Sequence, residues 1–160
     1  MLKLKKTNRL PHVIMILILI SLALILWVVF KDFSLSPAAS FEKGNKYMTE
    51  GKSRQAETYL MMAANADDEN VSKIAAYYLG ELYRKGGNDF PVNGPKAELF
   101  LAKAADAGMH RAQYQLALMY DVGDKIVENR DKALYYMNEA AKSGMAEAQY
   151  ALGVWLERGY

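Results

Sequence analysis

Residues 75–83 read AAYYLGELY, residues 112–120 read AQYQLALMY, and residues 148–156 read AQYALGVWL. The three stretches align without gaps at offsets of 37 and 36 residues. In each copy a glycine follows in the same register: Gly86, Gly123 and Gly159. Self-similarity at a fixed period of this length is typical of arrays of repeated helical units. Within each copy, alanine, leucine and tyrosine recur at helical spacing, which predicts amphipathic helices.

A second motif lies between these stretches and predicts a second helix in each unit. Its members align at an offset of 36 residues: Lys96-Ala97, Ala104-Ala105 and Gly108 with Lys132-Ala133, Ala140-Ala141 and Gly144. Both glycines stand where a left-handed residue ends a helix. Each unit is therefore a helix, a loop of about ten residues and a second helix. Small residues occupy one column of the first helices, which lets neighbouring helices approach closely: Gly80, Ala117 and Gly153.

These motifs resemble the Sel-one-like repeat (SLR) family of tetratricopeptide-like proteins. The shared pattern is alanine-x-tyrosine-x-leucine-glycine, followed by tyrosine, glycine, lysine-alanine, alanine-alanine and glycine. Two positions depart from the pattern, with Ala117 in place of the glycine and Leu156 in place of the tyrosine. Residues 41–65 resemble a more distant copy of the unit. The resemblance implies an all-α fold, an α-solenoid of helix-turn-helix repeats whose first helices line the concave side.

An apolar block near the N-terminus, Val13 to Phe30, contains one hydroxyl and no charge. As a helix it would span roughly 27 Å, close to the ~30 Å hydrocarbon core of a bilayer. The block is longer than the apolar core of a signal peptide, so an uncleaved transmembrane anchor is predicted, with a cleaved signal as the alternative. Basic residues precede the block and place the N-terminus in the cytoplasm: Lys3, Lys5, Lys6 and Arg9.

The sequence thus predicts four segments. Residues 1–12 form a cytoplasmic N-terminus, residues 13–30 a transmembrane helix, residues 31–40 a polar, proline-containing linker, and residues 41–160 the repeat domain. A single-pass protein with this orientation would lie in the bacterial inner membrane, with its repeat domain in the periplasm.

Composition and motifs give no support to catalysis. The net charge of +2 is too small to predict nucleic acid as a partner. The absence of cysteine excludes thiolate metal sites, thiol nucleophiles and disulfides. The two histidines, His12 and His110, have no metal-ligand spacing, and Asp67, Asp68 and Glu69 lack the glycine of a calcium loop. We expect neither an enzyme nor a metal or cofactor site.

The surface left for function is the face of the first helices that the repeat core does not use. Residues three and four apart share a helix face. On this basis the predicted partner-binding stripe comprises Tyr78, Glu81, Lys85, Gln115, Leu118, Val154 and Arg158. The alternative is that these are ordinary solvated residues, since single exposed apolar residues are common on protein surfaces.

An extended repeat surface predicts a protein–protein interaction module or scaffold, held at the membrane by its anchor. The resemblance also implies an alternative, a periplasmic immunity protein that binds and occludes a toxic secretion-system effector, for example a phospholipase. In both cases the partner is another protein, whose identity the sequence does not reveal. The last helix has no second helix after it, so homodimerisation through that helix is also predicted.

Overall fold

The computed structural model describes residues 10–33, 35–88 and 90–160. Within these ranges the chain forms eight helices and no strand. The helices are α1 (Leu10–Phe33), α2 (Pro37–Thr49), α3 (Ser53–Ala64), α4 (Glu69–Lys85), α5 (Gly94–Asp106), α6 (His110–Val122), α7 (Arg130–Lys142) and α8 (Ala146–Glu157). The chain divides into two compact units, Met1–Leu35 and Ser36–Tyr160. The predicted all-α repeat architecture is confirmed for the second unit.

The first unit contains α1, a helix of 24 residues. Its large apolar side chains between Val13 and Val28 are 49–67% exposed. Among the described residues, no helix has both the length and the apolar content that crossing a bilayer requires. The membrane span predicted for residues 13–30 stays a prediction. The basic cluster on which its orientation depends lies outside the described residues: Lys3, Lys5, Lys6 and Arg9.

In the second unit each helix packs against the next one along the chain, and α2 also packs against α4. We call α2, α4, α6 and α8 the first helices and α3, α5 and α7 the second helices. Alanines at helical spacing bring the backbones together, and larger side chains fill the space between layers. The largest fully buried side chains are Leu60, Leu79, Leu101, Leu116, Met119 and Met137.

Local sequence sets the helix ends. The side chain of Asp68 accepts a hydrogen bond from the backbone N–H of Val71 and caps α4. Asn93 caps α5 in the same way. The backbone φ angles of Gly108 and Gly144 are 78° and 89°, which confirms the left-handed positions predicted after the second helices.

The repeat domain begins earlier than its sequence predicts. Ser36 Oγ accepts a hydrogen bond of 3.2 Å from the backbone N–H of Ala39, and Pro37 occupies the first turn. A serine cap followed by a proline with preset φ is a strong start signal for a helix. As a result α2 begins at Pro37, inside the segment predicted as a linker, rather than at Phe41.

The glycine column of the first helices receives leucines from the second helices. A Cβ atom added to Gly44 would lie 2.8 Å from Leu60 Cγ, and one added to Gly80 would lie 2.5 Å from Leu101 Cγ. The predicted close approach is confirmed at Gly80. At Gly153, the equivalent residue of α8, an added Cβ would meet no atom within 4 Å.

Two equivalent polar clusters link successive layers: Glu57–Tyr83–Lys96 and Glu98–Tyr120–Lys132. In each, the tyrosine hydroxyl donates to the glutamate. The lysine Nζ donates to the same hydroxyl oxygen, at 3.3 Å in the first cluster and 3.0 Å in the second. Burial, together with the adjacent carboxylate, raises the pKa of both tyrosines far above its ordinary value. Both hydroxyls therefore stay protonated and can donate.

Candidate partner-binding surface

A depression of about 450 Å³ lies between α6 and α8. Two residues of the predicted stripe, Val154 and Arg158, line it. Val154 is half-buried and Arg158 is exposed, so the depression combines an apolar wall with a cation at its edge. The remaining lining residues are Tyr114, Glu147, Tyr150, Ala151 and Trp155. We call this site the first-helix depression.

The structure does not bring the other predicted residues into this depression. Gln115 and Leu118 are half-buried on α6 and do not line it. Tyr78 is half-buried on α4, where its ring contacts that of Phe41 edge to face at a centroid distance of 5.5 Å. Its contacts are those of a packing residue at the junction of α2 and α4.

Glu81 and Lys85 line a different depression, of about 260 Å³, beside the loop that follows α4. The predicted stripe is therefore divided between two places on the surface of the repeat domain. Lys85 is exposed and its Nζ lies 2.7 Å from Glu81 Oε2, so this lysine already has a carboxylate partner on its own helix.

Glu81 corrects the expectation that the stripe is solvent-facing, because this residue is only 7% exposed. Arg84 Nε lies 3.0 Å from its Oε1, and Arg84 also approaches Asp124 at 3.6 Å. Burial disfavours the charged carboxylate, but hydrogen bonds from Arg84 and Lys85 outweigh it and lower the pKa of Glu81. Hydrophobic periodicity cannot reveal such an ion-pair cluster, because it treats every charged residue as exposed.

Sequence reasoning missed the two tyrosines of the first-helix depression, Tyr114 and Tyr150, because both belong to the repeat motif and were left out of the predicted stripe. Tyr150 is 78% exposed. Their column of the repeat alignment also contains Tyr77, which lies one helical turn from the predicted Glu81 on the same face. The helix face that this tyrosine column shares with Glu81 is the signal that could have identified Tyr114 and Tyr150.

The chemistry available in the first-helix depression is that of recognition. Aromatic rings and aliphatic side chains form most of it, and Glu147 and Arg158 supply one charge of each sign. In the described part of the chain, no group of three or more histidine, cysteine, aspartate or glutamate residues could hold a metal ion. Tyrosine and arginine are enriched where binding energy concentrates in protein interfaces.

Comparison with known protein families places these helices in an established repeat. The family model described as Sel1 repeat matches residues 73–109, 110–145 and 146–160, which together make up more than half of the chain. The first two matches begin at first helices and end after second helices, with the same spacing as the internal alignment. The pair formed by α2 and α3 lies outside the match. No curated protein matches the chain.

Two crystal structures show the same arrangement of helices. A Sel1 repeat protein from Oxalobacter formigenes aligns with a TM-score of 0.63 and 29% identity, over 75% of this chain and 46% of that protein. The protective antigen c5321 of uropathogenic Escherichia coli strains, which displays an SLR fold, aligns with a TM-score of 0.69 and 26% identity, over 83% of this chain and 28% of that protein. The chain thus spans less than half the length of either protein.

Proposed function

The chain belongs to the Sel1 repeat family, and from that premise we propose that it is a membrane-tethered module that binds another protein through the first-helix depression. Sel1 repeat proteins are generally protein–protein interaction modules. The observation that carries the proposal is the depression between α6 and α8, with Tyr150 78% exposed at a site that also contains Val154 and Arg158. A large exposed ring next to a cation and an apolar wall favours a partner segment that offers an apolar side chain and a carboxylate.

The tether is the apolar segment of residues 13–30. Its length and its preceding basic residues support a single pass through the bacterial inner membrane, with the repeat domain in the periplasm. Anchoring would raise the local concentration of the module around other membrane-associated proteins. Alkaline carbonate extraction and protease accessibility of the C-terminus test this arrangement. Release of the intact chain by carbonate, or protection of the repeat domain in spheroplasts, would contradict it.

The binding surface is tested by site-specific photocrosslinking of the full chain in native membranes. A benzoyl-phenylalanine at Tyr150 should capture one partner, whereas the same probe at Tyr135 on α7, which is 59% exposed, should not. Val154→Asp should abolish the capture, and the matched substitution Leu99→Asp at a 63% exposed residue of α5 should preserve it. Equal products from both probe positions would show that the depression is not the binding site.

The identity of the captured protein separates scaffolding from neutralisation of a toxic effector. If the partner is an envelope-damaging enzyme, the chain should rescue cells that express this enzyme in the periplasm, and Val154→Asp should abolish the rescue. Failure to rescue, with binding intact, leaves the scaffold function.

A further inference from the structure

A second depression adjoins the first-helix depression at the N-terminal ends of α6 and α8. Its volume is about 540 Å³, and residues of α4, of α6 and of the turn before α8 line it. Glu147 lines both depressions, so the two meet at this residue. We call the second site the basic depression, and its walls include Lys73, Met109, His110, Arg111 and Met145.

The lysine and arginine side chains of these two depressions have no polar partner within the described chain. Other basic side chains of the repeat domain do have one: Lys85 Nζ lies 2.7 Å from Glu81, and Lys142 Nζ lies 2.8 Å from Glu139. In the described part of residues 36–160, three lysine and arginine side chains have neither an ion pair nor a hydrogen bond: Lys73, Arg111 and Arg158. All three line one depression or the other, so their charges are available to a partner.

The charge of the two depressions is opposite in sign to that of the domain around them. Residues 36–160 contain 15 lysines and arginines against 17 aspartates and glutamates. The two depressions together contain three of these cations and one carboxylate, that of Glu147. A local excess of positive charge on a weakly acidic domain attracts negatively charged partners and disfavours basic ones.

The positions of the three cations indicate an extended partner rather than a small anion. Lys73 lies on α4, Arg111 on α6 and Arg158 at the C-terminal end of α8. Eleven residues of α8 separate Glu147 from Arg158, a distance of about 16 Å along the helix axis. One phosphate ion would contact only one end of this distance, whereas about five residues of extended chain would cover it.

Between its charged ends the surface is largely apolar. Tyr150 and Val154 lie on the same face of α8 as Glu147 and Arg158, because residues three and four apart share a helix face, and all four line the first-helix depression. The surface thus has cations at its two ends and an apolar middle. A complementary partner has an apolar side chain between negatively charged groups.

We propose that the partner of this chain presents an acidic segment, in which an apolar side chain occupies the first-helix depression and carboxylates on either side of it pair with Arg158 and with the basic depression. The proposal rests on the proposed function, because it takes the first-helix depression as the binding site. Carboxylates fit the two arginines, since a guanidinium group forms paired hydrogen bonds with them. A protein segment also supplies anionic and apolar groups in alternation along one line, which a free phosphate or a lipid headgroup does not.

Selection of peptides on the full chain tests the chemistry of the partner. A displayed library of random peptides about ten residues long, roughly twice the length that spans α8, is panned against the purified chain in micelles of a neutral detergent. The enriched peptides should contain aspartates or glutamates on both sides of an apolar residue. Enrichment of neutral or basic peptides, or no enrichment, would overturn the proposal.

Charge reversal tests the role of the basic depression. Lys73→Glu combined with Arg111→Glu should weaken the binding of an enriched peptide, measured by fluorescence anisotropy, at least about tenfold, because two attractions become repulsions. The matched control is Lys46→Glu combined with Lys142→Glu, which changes the net charge equally at side chains that are 74% and 73% exposed. This control should leave the affinity within about twofold, because salt screens distant charges. Equal losses in the two variants would show that only net charge matters and would overturn the proposal.

Further outcomes separate this proposal from the proposed function and from other anions. Capture of a partner at Tyr150 that Lys73→Glu with Arg111→Glu leaves unchanged would retain the binding site and overturn the acidic segment. Peptide binding that Val154→Asp leaves unchanged would overturn the first-helix depression as the binding site, and with it the apolar contact proposed here. Displacement of the peptide at constant ionic strength by millimolar inorganic phosphate, or by short-chain phosphatidylglycerol, would assign the cations to a phosphate ion or a lipid headgroup instead.

Discussion

At the scale of single residues, glycine occupies the same repeat column in α4 and in α8, but it is covered in α4 and open in α8. Gly80 lies under Leu101, where an added Cβ would approach Cγ to 2.5 Å and the backbone nitrogen to 3.1 Å. Gly153 occupies the equivalent position in α8 and has open space around it. The helical backbone is identical in kind at both sites, so any difference between substitutions there reports the neighbouring helix alone.

Alanine substitution should therefore change stability in opposite directions at the two glycines. Gly80→Ala should lower the free energy of unfolding by about 1–3 kcal/mol, because the new methyl group meets a backbone atom as well as a side chain. Gly153→Ala should raise it by about 0.5–1 kcal/mol, because alanine loses less backbone entropy in a helix. Thermal unfolding followed by circular dichroism measures both effects.

Wild-type stability in Gly80→Ala would mean that α4 and α5 are further apart than described. Destabilisation by Gly153→Ala would mean that another part of the chain covers α8. The two variants thus serve as controls for each other.

The sequence predicts which residues occupy the repeat column of small residues, but it does not predict which side chains cover each of them. Internal alignment identifies Gly80 and Gly153 equally well, because periodicity records only the helix face. The alignment does not reveal the close approach at Gly94, where an added Cβ would lie 1.8 Å from the carbonyl oxygen of Lys125. That approach depends on a loop of the following repeat. Glu81 was misplaced for a similar reason, since its burial depends on the ion pair with Arg84.

At the scale of helices, the Glu98–Tyr120–Lys132 cluster ties three helices together. Tyr120 belongs to α6 and is 4% exposed, Glu98 lies on the preceding second helix, and Lys132 lies on the following one. Lys132 Nζ is 3.5 Å from Glu98 Oε1 and 4.8 Å from the centre of the Tyr120 ring. The hydroxyl is thus the shared partner of a carboxylate and an ammonium group.

Tyr120→Phe should lower the free energy of unfolding by about 1–2 kcal/mol, because removal of the hydroxyl leaves a partly buried carboxylate without its donor. The matched control is Tyr135→Phe on α7, whose side chain is 59% exposed and whose loss of a hydroxyl should change stability by less than about 0.5 kcal/mol. Urea unfolding followed by tyrosine fluorescence measures both variants. Equal effects would show that the cluster adds nothing beyond the packing of the ring.

Helix boundaries were less predictable than helix identity. The glycines that end the second helices were placed correctly, since a left-handed residue there has a local cause. The start of α2 was missed because Ser36-Pro37 has the composition of a linker as well as that of a helix cap. Only the packing of α2 against α3 and α4 distinguishes these alternatives, and packing is not visible in composition.

At the scale of the whole repeat domain, stability should vary along the array. In a stack of repeats, each helix is stabilised mainly by its nearest neighbours. Helix α4 packs against α2, α3 and α5, whereas α8 has substantial contact with α7 alone. Trp155 and Tyr160, which stack at a centroid distance of 4.5 Å, are the main aromatic contact of α8 with the residues that follow it. Local opening should therefore require less free energy in α8 than in α4.

Hydrogen exchange measured by mass spectrometry on the full chain should show this difference directly. Peptides from residues 146–157 should exchange faster than peptides from residues 69–85 by at least about tenfold, which corresponds to about 1.4 kcal/mol. Slower exchange in α8 than in α4 would contradict the nearest-neighbour account.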